Sequence, residues 1–260
     1  MAPRRRPEPA PAPPVPPMPD LRIGCAGWAL RAAHAALAPG PGSHLERYAR
    51  VFDAVEVNSS FHRPHRTATY ARWAASVPAR FRFAVKMPKA ISHERRLQDC
   101  EHALDAFLGE VAGLGSKLGV LLLQLPPSLP FEPRVVPAFL DALRLRHRGA
   151  VACEPRHASW FRAEAEAALR ARGIARVAAD PARVRRAAVP GADRACEYLR
   201  LHGSPRVYYD AYADAAIARV ARRLQRPAAG VRERWCIFDN TAFGHALADA
   251  LALRGRTGAA

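Results

Sequence analysis

Strand-like and helix-like segments alternate along this chain from Arg22 onward, separated by short breaks. Such alternation predicts a mostly parallel sheet covered by helices. Strands are expected at Arg22–Gly27, Ala54–Asn58, Arg82–Lys86, Gly119–Gln124, Ala150–Glu154, Ala175–Ala179, Tyr198–His202 and Trp235–Asp239. Val120-Leu121-Leu122-Leu123 is apolar at every position, as in a strand buried on both faces.

The segments between them carry the helical period. Tyr70, Trp73, Ala74 and Val77 follow i, i+3, i+4, i+7, and so do Leu104, Phe107, Leu108 and Val111. Val136, Phe139, Leu140 and Leu143 repeat the pattern, as do Ile217, Val220, Ala221 and Leu224, and finally Phe243, Ala246, Leu247, Ala250 and Leu251. Ser43 and Glu46 have the spacing of a capping box. Ser159 is placed to cap a helix ending near Gly173, and residues 183–188 give a weak sixth helix.

Eight βα units in roughly 235 residues fit a closed (β/α)8, TIM-type barrel. An open doubly wound sheet would favour a glycine-rich phosphate turn after its first strand, and Gly24-Cys25-Ala26-Gly27-Trp28 lacks the third glycine. One α/β domain is expected over residues 21–256. Residues 1–20, dense in proline from Pro7 to Pro19, read as a disordered or polyproline tail.

No apolar run approaches the roughly 20 residues of a membrane span. The prolines that follow Arg4-Arg5-Arg6 replace the apolar stretch of an export signal, so the cytoplasm is the expected location. The 5 cysteines form no CxxC pair, which argues against a zinc ribbon or a disulfide framework. Cys25, Cys153 and Cys236 fall in strands and read as small core residues. Glu154 beside Cys153 would raise that thiol's pKa, against a nucleophilic role.

The net charge of +17 invites a nucleic-acid reading. However, only Lys86, Lys89 and Lys117 are lysines among 40 basic residues, which reads as a compositional bias toward arginine. Small arginine groups occur at 144/146/148, 183/185/186 and 219/222/223/226, the last on the polar side of a helix.

Polar residues gather where the strands end. These are Trp28 after the first strand, Glu56, Asn58 and Ser59 at the second, Lys86 at the third and Gln124 at the fourth. Glu154, Arg156 and His157 follow at the fifth, Asp180 at the sixth, Arg200 and His202 at the seventh, and Asp239 and Asn240 at the eighth. In a barrel these ends share one mouth, where such enzymes place their active sites. Glu56 and Asn58 share a strand face, as do Arg200 and His202.

These residues lie in recognisable blocks: Ile23-Gly24-Cys25-Ala26-Gly27-Trp28, Val55 to Phe61, Phe81 to Lys86, Leu122 to Ser128, Glu154 to Trp160, Tyr198 to Gly203 and Phe238 to Thr241. In that order they resemble the domain-of-unknown-function 72, or YecE-like, family from about Leu21 to Leu253. The resemblance implies a TIM-type barrel and supplies no established activity. The chain departs from the family's pattern at His62 (Tyr), Ala158 (Pro) and Asp239 (Asn). A Pro/Gly-rich stretch, Ala38–Gly42, also replaces the usual aromatic-Pro segment.

The residues themselves suit acid–base chemistry on an anion. Glu56, Glu154, His157 and His202 are the catalytic candidates. Trp28, Asn58, Lys86, Gln124, Arg156, Arg200, Asp239 and Asn240 are the substrate-binding candidates, with Lys86, Arg156 and Arg200 clamping a phosphate or carboxylate. A glycosidase-like carboxylate pair of Glu56 and Glu154 is a further option. A structural Glu–Arg network without turnover is the plain alternative. No cofactor is expected. A divalent metal is the open option, although no HxH or HExxH spacing is present and no metal ligands are assigned. Tyr208 and Tyr209 stand where they would line the mouth. A small anionic molecule is the expected partner. A nucleic acid on the basic surface, or a protein docked on the proline tail, stands as the alternative.

Overall fold

A computed structural model describes residues 18–258. Its strands are β1 (Asp20–Cys25), β2 (Ala54–Val57), β3 (Arg82–Lys86), β4 (Leu118–Gln124), β5 (Ala150–Glu154), β6 (Ala175–Arg176), β7 (Ala178–Asp180), β8 (Gly191–Ala192), β9 (Cys196–Leu201) and β10 (Glu233–Phe238). The α-helices are α1 (His44–Ala49), α2 (Thr67–Ala75), α3 (Glu101–Val111), α4 (Val135–Arg146), α5 (Ala163–Arg170), α6 (Asp214–Leu224) and α7 (His245–Thr257). Together they form one mixed α/β domain.

The strands pair as β1-β10-β9-β7 and as β2-β3-β4-β5-β6-β8, parallel throughout except for β6 with β8. An isolated parallel bridge joins Ala26, just past β1, to Glu56 of β2. Val177 separates β6, which pairs with β5, from β7, which pairs with β9. The expected sixth strand is thus shared between two partners.

Strand parity sorts the interior. Odd-face residues such as Val55, Val57, Phe83, Val85, Leu121, Leu123, Cys153, Leu199 and Leu201 pack under the helices in the main core. The alternate face carries a second cluster including Ala54, Ala84, Leu122, Ala152, Tyr198 and Trp235. Trp235 stacks on Tyr198 with ring centroids 6.0 Å apart, and both are fully buried. Gly119 leaves the room for that indole: a Cβ there would lie 2.5 Å from Trp235 Cζ2. Gly24 likewise lets β1 approach β2, since its Cβ would lie 2.1 Å from the Ala54 carbonyl oxygen.

The capping box forms as the spacing predicts. Ser43 Oγ accepts from the Glu46 amide at 3.3 Å, and Glu46 Oε2 accepts from the Ser43 amide at 2.7 Å. Other local expectations are corrected. Ser159 does not cap α5. It sits inside a 3-10 turn, Ala158–Phe161, where His157 is the cap, and its hydroxyl accepts instead from the Phe131 amide. The weak sixth helix is a 3-10 turn, Arg185–Ala188. Phe243 lies before α7 and is exposed, because Gly244 with φ 87° starts the helix after it. Asp20, read as tail, opens β1 by pairing with Glu233. Residues 1–17 of the expected tail lie outside the described residues. Among the described residues no helix is long and apolar enough to cross a membrane.

Candidate functional site

The inner-face parity that places Ala54, Ala152, Tyr198 and Ile237 inside continues to the strand ends. It carries Glu56, Glu154, Arg200 and Asp239 to the same place. Arg200, fully buried on β9, is the centre. Its Nε donates to Glu56 Oε2 at 3.0 Å, and its Nη2 donates to Glu56 Oε1 at 2.6 Å. Nη1 donates to Glu154 Oε2 at 2.6 Å, and Nη2 also reaches Asp239 Oδ2 at 3.1 Å. Three carboxylates from β2, β5 and the end of β10 are thus drawn onto one guanidinium. Tyr198, two residues before Arg200 and on the same face, donates its hydroxyl to Glu56 Oε2 at 2.8 Å.

His202 continues the row. Its Nδ1 lies 3.0 Å from Asp239 Oδ2, and its Nε2 lies 3.1 Å from Glu154 Oε1. An ionised carboxylate only accepts, so both ring nitrogens must donate, which requires the imidazolium. Burial pushes the His202 pKa down, but Glu154 and Asp239 outweigh it and the net shift is upward. Burial would raise the Glu154 carboxyl, yet Arg200, His202 and Arg156 hold it well below its usual range. Asp239 is also lowered: Arg200 and His202 overcome its burial.

Arg156 closes the cluster from outside. Its Nε and Nη2 both donate to Glu154 Oε1 at 3.2 Å, and Nη2 donates to the Tyr208 hydroxyl at 3.0 Å. Tyr208 holds this position with φ 72°, packing edge-on against the His202 ring. Lys86 enters from β3, with Nζ 4.1 Å from the centre of the Phe61 ring. Burial, then the Arg200 charge, lowers its pKa to about 8. Glu154, Arg156 and His202 line a cavity of about 250 Å³ with Pro181, Ala187 and Val207.

The remaining predicted residues are placed around this cluster. Asn58 Nδ2 donates to Asp239 Oδ1 at 3.4 Å, while its own Oδ1 is buried without a partner. Asn58 and Trp28 line a second cavity of about 510 Å³, and Trp28 packs edge-on against Trp73. Gln124 is buried at the end of β4, in register with Glu154. His157 pairs with Ser159 rather than with the cluster's carboxylates, its Nδ1 2.8 Å from Ser159 Oγ. Asn240 is fully buried, and its Nδ2 is spent on Asp249 Oδ2 at 2.7 Å and the Asp210 carbonyl at 3.0 Å. Tyr198 and Phe61 were not singled out by sequence reasoning. Parity with Arg200 was the available signal for Tyr198.

Among the described residues, no group of three or more His, Cys, Asp and Glu side chains is arranged to hold a metal ion. The carboxylates that would supply such a site turn onto Arg200 instead. Burial, then the Glu154 charge, pushes the Cys153 thiol up, so it is no nucleophile at neutral pH.

This chain is similar to proteins of known sequence and structure. It is 35% identical over 144 residues to the UPF0759 protein YecE of Escherichia coli, an alignment covering 52% of each chain. The same protein from a second E. coli strain is 36% identical over 120 residues, covering 45% of this chain and 43% of the relative. The chain thus spans about half the length of the curated relatives it matches. A crystal structure of a DUF72 family protein from Enterococcus faecalis superposes with a TM-score of 0.75 at 20% identity, covering 92% of this chain and 95% of the other. One from Thermotoga maritima gives 0.72 at 23% identity, covering 91% and 98%. The family described as "Protein of unknown function DUF72" matches residues 22–260, and this chain belongs to it.

Proposed function

We propose that this chain is an enzyme that binds a small phosphorylated or carboxylated molecule at the strand C-terminal ends and moves a proton on it through His202. One observation carries the reading: Glu154, Arg156 and His202 line the same cavity, so a fixed cation and a protonated imidazole face one space. Arg200 is not the anion clamp, because carboxylates occupy its donors; it is a positioning residue for them. Arg156, whose Nη1 makes no hydrogen bond among the described residues, takes the anion, and the charge of Lys86 acts on the same carboxylate cluster. A substrate oxygen displaces Glu154 Oε1 from His202 Nε2 and receives that proton. The neutral imidazole, still held by Asp239, then takes a proton back in the second half of the reaction. Glu154 restrains the imidazole, while Asn58 fixes Asp239.

The test uses thermal unfolding with a panel of phosphorylated and carboxylated compounds. A binder raises the wild-type Tm, Arg156→Ala loses the shift, and His202→Asn keeps the shift while losing turnover. The reading fails if no such anion stabilises the wild type at millimolar concentration.

We also read the two sheets as one closed (β/α)8 barrel, with the Ala26–Glu56 bridge and the chain around Val177 as its seams. The location of the cluster at the strand C-terminal ends supports this. Amide exchange at Gly27, which donates to the Glu56 carbonyl at 2.8 Å, tests it. Closure gives core-like protection, whereas exchange as fast as a free sheet edge rejects it.

A further inference from the structure

The structure gathers the last of the arginine groups seen in the sequence around one concavity. On α6, Arg219, Arg222, Arg223 and the following Arg226 lie at i, i+3, i+4 and i+7 and share one side of the helix axis. With Val189 they line a concavity of about 500 Å³ that contains no acidic side chain. Arg223 Nη1 donates to the Ala188 carbonyl at 2.8 Å. That bond ties the helix to the 3-10 turn Arg185–Ala188, while Arg186 Nη1 is turned to the Phe161 carbonyl at 3.0 Å.

What sets this surface apart is that four arginines line one concavity with no acidic side chain among them. Some arginines elsewhere meet acids, among them Arg146 with Asp105, Arg172 with Asp141, Arg206 with Asp210, and Arg234 with Glu197. Among the described residues, Arg219, Arg222, Arg223 and Arg226 form no ion pair within 4.0 Å. The carboxylate that acts most on Arg223, Glu197, is already held by Arg234 at 2.7 Å. Uncompensated like charges gathered in a concavity repel each other unless an anion joins them.

We infer that this arginine face of α6 is a docking surface for the phosphate backbone of a nucleic acid. The stripe from Arg219 to Arg226 rises about 10 Å along the helix, enough to meet successive phosphates of a strand. Guanidinium forks suit phosphate oxygens. A protein partner would call for an apolar or aromatic anchor, and a membrane for several apolar side chains. Val189 is the single apolar residue lining the concavity. The face is separate from the Glu154–His202 cavity, and its role does not depend on any turnover there.

The test is fluorescence anisotropy with a labelled 20-base-pair DNA duplex and a single-stranded RNA of equal length, over a range of salt. The full chain binds at least one of the two. Arg219→Gln, Arg222→Gln and Arg226→Gln together weaken binding at least tenfold and reduce the slope of log K against log salt by about 2 to 3. A control with the same loss of charge elsewhere, Arg63→Gln with Arg72→Gln and Arg80→Gln, stays within about threefold of the wild type. The inference is overturned if neither probe binds at 50 mM salt, if the control loses as much as the α6 variant, or if polyglutamate of equal charge displaces the nucleic acid as effectively as unlabelled DNA does. Should the triple variant unfold, phenylglyoxal labelling of the wild type replaces it. Nucleic acid then slows modification of Arg219 and Arg222 selectively, and equal labelling with and without it overturns the inference.

Discussion

Arg200 and Glu56 meet fork to fork, at 2.6 Å and 3.0 Å, with neither side chain exposed to solvent. The pair joins β9 to β2 across the interior, and Arg200 is also the principal countercharge for Glu154 and Asp239. Arg200→Met would leave three buried carboxylates without it. It is expected to cost about 3–5 kcal/mol, read from urea unfolding. Arg200→Lys restores a charge but not the fork, and should recover only part of the loss. A Met variant as stable as the wild type would remove Arg200 from the centre of the network.

The same network sets the pH dependence of stability. The His202 pKa is raised above 6.5 in the folded chain, so its contribution is complete below about 6.5 and is lost as pH rises through the folded value. Glu154 and Asp239 are lowered from 4.5 and 3.8, so their contribution is complete above those values and is lost as pH falls through the folded ones. Stability from this cluster is therefore greatest between roughly pH 4.5 and 6.5. His202→Asn should flatten the alkaline side of a Tm-versus-pH curve and shrink the acid side without abolishing it, since Arg200 still lowers both carboxyls.

Lys86 acts with the opposite sign on the alkaline side. Its pKa falls to about 8 from 10.5, so the unfolded chain binds the proton more tightly and stability rises with pH between those values. Carbon-13 methylation followed by NMR should give one lysine titrating near 8. Lys86→Met should remove that signal along with the rise. A titration near 10.5 would mean that the ammonium is solvated rather than lodged against Phe61.

Two glycines should answer oppositely to alanine. At Gly24 the new Cβ meets the Ala54 carbonyl oxygen at 2.1 Å, a backbone atom that cannot swing away. Gly24→Ala is expected to destabilise by about 1–3 kcal/mol. Gly109, inside α3, has nothing within 4 Å of that position, so Gly109→Ala should stabilise by about 0.5–1 kcal/mol. Chemical denaturation of the two variants reads both.

The strand ends were legible because parity is local: Glu56, Lys86, Glu154, Arg200 and His202 each follow an inner-face residue by two positions. Partner choice is not local. The sequence marks Arg200 as a cation suited to an external anion, but it cannot show that three carboxylates converge on it and use its donors. Asn240 follows Asp239 directly, so strand parity turns it to the other side, toward Asp249. The split of the sixth strand at Val177 and the short antiparallel β8 depend on neighbours distant in sequence. The helical spacing of the α6 arginines was legible, but the Arg223 bond to Ala188 was not, because its partner lies more than thirty residues earlier.

The Trp235–Tyr198 stack fills the inner face between the carboxylate cluster and the opposite ends of the strands. Gly119 allows it no slack. The two rings therefore form a layer of fully buried aromatic carbon that shields the carboxylates at one end of the strands from solvent at the other.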